Sequence, residues 1–114
     1  MKGGVGVTSS FAFEKMDVYR VAVEAAHLVR DANFGSGRTH LRDQACRASE
    51  SVVLNIAEGR MLAGSNQRKH YRIALGSAAE MVSVVDLVRA QEGPAIQDLY
   101  RRVGAILWKL CGPT

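Results

Sequence analysis

The sequence predicts an all-α protein, an antiparallel up-down-up-down four-helix bundle, and three observations carry that prediction. Apolar residues recur at steps of three and four in four separate segments, which is the seam pattern of helices packed at shallow angles. Three short glycine-bearing breaks separate the segments, and short breaks force neighbouring helices to run in opposite directions. No segment alternates with period two, so strands are not indicated.

The elements follow in order. Residues 1–12 begin with a Gly/Ser/Val-rich stretch without a period, read as a mobile tail, and residues 13–112 are read as the bundle. Within the tail, Lys2 to Thr8 superficially resembles a phosphate loop, but Val7 stands where the phosphate-contacting lysine belongs, and no strand can precede residue 2. Nucleotide binding is therefore not expected. Val18, Ala22, Ala25 and Val29 mark the first helix; Leu41, Ala45, Ala48 and Val52 mark the second. Tyr71, Leu75, Ala78, Val82 and Val85 mark the third, and Leu99, Val103, Ile106 and Leu110 the fourth. The breaks are Phe34-Gly-Ser-Gly37, Gly59 to Ser65, and Gln91-Glu-Gly-Pro94. Each intervening segment has about 18 to 26 residues, about 27 to 39 Å if helical. Ser65 is placed to cap the third helix, and Gly93-Pro94 puts proline in the first turn of the fourth, where its missing N–H costs nothing.

A chain of 114 residues is one domain, long enough to bury about two-thirds of its unfolded surface. With 47% hydrophobic and 23% charged residues it has the composition of a globular protein, and no apolar run approaches the roughly 20 residues that span a bilayer. The start of the chain lacks the apolar stretch and cleavage site of a secretory signal, so the cytoplasm is the expected location. Cys46 and Cys111 show no ligand spacing and read as small buried hydrophobes. No cofactor or metal is expected.

Helix 2 predicts self-association. Its stretch Ser51-Val-Val-Leu-Asn-Ile-Ala-Glu58 is apolar nearly all the way round, whereas a lone bundle needs one apolar stripe. Val53 and Leu54 are therefore candidates for a contact between copies. Asn55 and Glu58 lie inside this stretch, where an unpartnered polar group costs about 1 to 3 kcal/mol, and are candidates for fixing register or assembly. Gly76 costs about 1 kcal/mol relative to alanine inside a helix, so a tight crossing or a contact between copies is the expected reason for it.

The segments Phe13 to Ala22, Leu41 to Ala48, Ser51 to Gly59 and Tyr71 to Glu80 together resemble the bacterial family of proteins encoded in intervening sequences of 23S ribosomal RNA genes. The most specific parts are Asn55-Ile-Ala-Glu-Gly59 and the Gly-Ser-x-x-Glu of Gly76 to Glu80. The resemblance implies an antiparallel four-helix bundle, a homo-oligomer that is commonly a pentameric ring, and no enzymatic activity. It also implies RNA or a reverse transcriptase as partners, because related proteins accompany retroelement polymerases. Val53 departs from the family pattern, in which proline commonly follows Ser-Val, so helix 2 is expected to run on without a kink.

The charge map points to the same class of partner. Residues 1–35 carry four basic and four acidic side chains, as do residues 73–114, so the net charge of +4 arises entirely within residues 36–72. Arg42 and Arg60 are 18 residues apart on helix 2, five full turns, and project in one direction. Arg68 and Arg72 share one flank of helix 3, beside Lys69. Arg42, Arg60, Arg68, Lys69 and Arg72 are thus the candidate phosphate contacts. The opposing reading is a solvated face whose arginines pair with Asp43, Glu50 and Glu58, or a protein-interaction module that binds an acidic partner without nucleic acid. Catalysis has no comparable support: His27, His40 and His70 lie on three segments, and Asp43 and Glu58 are 15 residues apart. His70 could join the basic surface, and Tyr71, Tyr100 and Trp108 read as core or interface. Without aromatic residues interleaved in the patch, sequence-specific reading of single strands is not expected.

Overall fold

The four apolar seams fold into four α-helices in the computed structural model, which describes residues 10–112. They are α1 (Asp17–Asp31), α2 (Thr39–Arg60), α3 (Gly64–Val88) and α4 (Gly93–Cys111). Among the described residues there is no strand. The phosphate-loop-like stretch of the tail lies outside them.

α1 is shorter than its segment because Met16 is extended, and a separate 3-10 helix (Ala12–Lys15) precedes it. That turn is closed by Glu14, whose Oε2 accepts the Phe11 N–H at 2.7 Å. The Phe11 and Phe13 rings stack, and Phe13 meets Tyr19 edge to face at 4.9 Å. α2 runs unbroken through Val53, as the missing proline predicts. The cap of α3 differs from expectation: Ala63 is the N-cap, no side chain bonds to it, and Ser65 already lies inside the helix. At its other end Arg89 takes the left-handed conformation (φ 50°) that terminates the helix. Pro94 sits in the first turn of α4 as predicted.

Each helix packs on two others: α1 on α2 and α4, and α3 on α2 and α4. Residue numbers rise along α2 as they fall along α3, because Gln44 bonds to Glu80, Ser51 to Ser77, and Asn55 to His70. The centre is filled by Ile56, Met81, Ile96, Tyr100 and Leu107, all buried. Full burial of one such apolar side chain stabilises the fold by about 1.5 to 3 kcal/mol. Small residues on three helices (Ala22, Ala25, Ala45 and Ala74) are also buried and let the backbones approach.

Every predicted seam residue of α1 and α2 is buried, joined by Val21 on α1 and by Ser49, Ile56 and Gly59 on α2. On α3, Leu75 and Val82 are half-buried, and the seam passes through Ala74 and Met81 instead. On α4 the stripe is rotated by one residue: Ile96, Tyr100, Val103, Leu107 and Cys111 face inward, while Leu99 and Ile106 are half-buried and Leu110 is exposed. α4 carries two adjacent apolar stripes, and only one can face the axis. The Tyr100 hydroxyl is buried there without a hydrogen bond. Ser49, the polar group beside it, donates its own hydrogen to the Cys46 carbonyl at 2.9 Å, so toward Tyr100 its oxygen can act only as an acceptor. Both cysteines are free, Cys111 buried and Cys46 half-buried.

Candidate nucleic-acid interface

The loop between α2 and α3 is three residues long, so the last turn of α2 and the first turns of α3 are held side by side. Arg60 therefore stands close to the start of α3. Its positive charge partly offsets the burial that pushes the Tyr71 hydroxyl upward in pKa. One turn beyond Arg68, Arg72 has the same partial effect on the Cys111 thiol, which burial also pushes up. The charges of Arg60, Arg68, Lys69 and Arg72 thus gather where α2 ends, α3 begins and α4 ends. All four side chains are exposed. Among the described residues none of the four is in an ion pair; Asp98 pairs with Arg101, and the Glu58 carboxylate lies 3.5 Å from the His70 ring.

Arg42 does not join them. Its guanidinium donates to the carbonyls of Ala32 (3.1 Å) and Arg30 (2.8 Å), the free carbonyls at the end of α1, and lies 5.8 Å from the centre of the Phe34 ring. The spacing that aims Arg42 and Arg60 in one direction also separates them by about 27 Å along the helix. Direction alone did not make a patch.

Asn55 and Glu58 find partners within the chain. Both Asn55 Nδ2 hydrogens go to Ser51, to its carbonyl at 2.9 Å and its hydroxyl at 3.2 Å. Asn55 Oδ1 is left to accept from His70 Nδ1–H at 2.8 Å, which turns His70 Nε2 toward Glu58 Oε2 at 3.5 Å. Ser77 donates to Ser51 and completes a polar chain between α2 and α3. His70 is thereby half-buried beside the basic cluster rather than in it. His27 and His40 are exposed on other elements.

Val53 is half-buried, and Leu54 is 66% exposed. The two border an open groove between α1 and α2 that Tyr19, Val23 and Ala26 also line. Gly76 is exposed, and a Cβ there would meet nothing within 4 Å, so no close crossing inside the chain requires it. It lies on an outward row of α3 between exposed Ile73 and Leu87. The tight approach belongs to Gly59, where a Cβ would stand 2.8 Å from the Tyr71 ring.

Sequence reasoning missed Arg101, Arg102 and Lys109, which are exposed on α4, because their segment sums to zero charge. Of the two readings of Trp108, core and interface, the exposed ring in the single chain excludes the core. The signal was present in the order of residues: no acid follows Asp98.

A family model described as 23S rRNA-intervening sequence protein matches residues 14–102, from the 3-10 helix to the middle of α4. No curated protein and no solved structure matches. The match includes both motifs of highest specificity, Asn55 to Gly59 at the α2 end and Gly76 to Glu80 on α3. The chain belongs to the 23S rRNA-intervening sequence protein family.

Proposed function

We propose that this protein is a non-enzymatic, cytoplasmic RNA-associated bundle of up-down-up-down antiparallel helices that assembles with copies of itself into a ring, pentameric by family resemblance. Arg60, Arg68, Lys69 and Arg72 are its phosphate contacts. The observation that carries the reading is that these four cations are exposed at one end of the bundle with no carboxylate paired to any of them among the described residues. Asp43 and Glu50 pair with none of them and Glu58 faces His70, which counts against a surface neutralised within the chain.

Self-association is supported by exposed apolar side chains on two different sides of the chain. The Leu54 groove lies between α1 and α2, while Ile73 and Leu87 stand out from a row of α3 that also carries Gly76, Glu80 and Ser83, and α3 does not touch α1. A contact between two unlike surfaces on different sides is heterologous and generates a closed ring when the rotation allows. Repetition around a ring multiplies weak phosphate contacts by avidity. A rival reading, an acidic protein partner at the same cations, is separated by salt. Four phosphate contacts give a log–log slope of affinity against salt of about −3 per chain on single-stranded RNA. RNA binding that is absent, or that ignores salt, refutes the proposal.

A further inference from the structure

Charge that cancels along the sequence does not cancel in space. All four acids of residues 73–114 precede Leu99. Residues 64–79 hold Arg68, Lys69 and Arg72, and residues 99–112 hold Arg101, Arg102 and Lys109, with no acid in either stretch. The two stretches lie side by side. Leu75 Cδ1 would be 3.7 Å from a Cβ on Gly104, and the Arg72 charge acts on Cys111. The nearest carboxylate on α4, Asp98, touches Arg101 at 3.4 Å in an exposed pair of little strength.

Trp108 stands in this field. It is 70% exposed, more than any other large apolar side chain among the described residues, and it is the chain's single tryptophan. Residues seven apart on a helix project within about 20° of each other. Arg101 and Trp108 therefore form one row and Arg102 and Lys109 the next, with exposed Ala105 between them. A flat ring in water between cations is what stacking of nucleobases requires, because every base offers a π-face and its phosphates offer charge. A second copy of the chain is a poorer occupant. Its α1 and α2 carry six acids against five arginines, and its acid-richest stretch, residues 80–98, holds four acids and Arg89, fewer charges than the six cations of this surface.

We infer that Trp108 is a stacking platform for an unpaired nucleobase, with Arg102 and Lys109 on the adjoining phosphates, so that this surface takes single-stranded rather than duplex RNA. The inference rests on the RNA-binding reading above and adds to it the form of the RNA and a site on α4. Trp108 and Lys109 both lie beyond the residues matched by the family model. Stacking of this kind carries no base code.

The test uses the full chain and a fluorescein-labelled oligouridylate of about 12 nucleotides, within the usual range of single-strand site sizes. Tryptophan emission reports Trp108 alone, and anisotropy of the label reports binding. The expected result is quenching on binding, weaker binding without quenching for a duplex of equal length, and affinity lost roughly 5- to 100-fold in Trp108→Ala but largely kept in Trp108→Phe. Binding with unmoved emission and an unaffected Trp108→Ala overturns the stacking site while the phosphate contacts stand. Absence of any binding overturns both. Shielding of Trp108 from acrylamide in RNA-free protein assigns it to a contact between copies and overturns the inference. Equal quenching by polyglutamate assigns it to an acidic protein segment, with the same consequence.

Discussion

Gly59 lies against the ring of Tyr71: a Cβ on Gly59 would stand 2.8 Å from Tyr71 Cε1 and 2.9 Å from Cδ1, with His70 Cβ at 3.2 Å. Tyr71 is buried and cannot swing away, so the missing side chain is what allows α2 and α3 to approach next to the basic cluster. Gly59→Ala is expected to cost about 1 to 3 kcal/mol through overpacking. Gly76→Ala meets no atom of its own chain, so it is expected to stabilise the single bundle by up to about 1 kcal/mol through helix propensity, while light scattering reads its effect on the contact between copies. Urea denaturation of the two variants checks the contrast.

Arg42 and the Arg60 cluster have separable tasks. Arg42→Ala is expected to lower stability by about 1 to 2 kcal/mol, because two carbonyls at the end of α1 lose a charged donor, while leaving RNA affinity nearly unchanged. Thermal unfolding and RNA anisotropy, measured on the same variant, separate the two tasks. Loss of affinity without loss of stability would return Arg42 to the phosphate contacts.

The buried tyrosines set an alkaline limit. Burial pushes the hydroxyls of both Tyr71 and Tyr100 above the usual tyrosine value of 10.0. Both groups are thus neutral in the folded chain at a pH where they ionise in the unfolded chain. Above about pH 10 the unfolded state binds fewer protons, so stability is expected to fall with rising pH there, and these two groups contribute no slope well below it. Tyr100→Phe is expected to flatten part of that fall. At neutral pH the same variant should be neutral or stabilising by up to about 1 kcal/mol, since it deletes a buried hydroxyl that makes no well-formed hydrogen bond, even to Ser49, the polar group beside it. A marked loss at neutral pH would mean that the hydroxyl is satisfied.

Assembly depends on the surplus apolar surface beside Val53. Leu54→Asp, at a side chain exposed in the single chain, is expected to lower the mass measured by light scattering while helicity survives. A wild-type chain that runs as a monomer at micromolar concentration contradicts the ring.

Much of this was legible in the residues, and the exceptions have physical causes. The seams of α1 and of α2 up to Val52 are unambiguous because polar residues flank them, as Glu24, Arg30, Asp43 and Glu50 do. α4 is apolar on two adjacent stripes, so Leu99-Val103-Ile106-Leu110 and Ile96-Tyr100-Val103-Leu107 fit the period equally well, and packing against α1 and α3 decided between them. Spacing along one helix aligned Arg42 with Arg60 but could not show that Arg42 would turn onto α1. Counting charge by segment hid Arg102 and Lys109, because the acids that balance them sit toward the other end of the bundle. Gly76 drew attention as a glycine inside a helix, yet Gly59, at the helix end, is the one with a ring against it.

The claim on which the rest depends is that RNA phosphates meet Arg60, Arg68 and Arg72, and the salt dependence of binding in the triple alanine variant tests it most directly. Loss of three phosphate contacts should make the log–log slope shallower by about 2 per chain, with affinity reduced and the assembly intact. Equal slopes and equal affinities for the variant and the wild type would contradict the account.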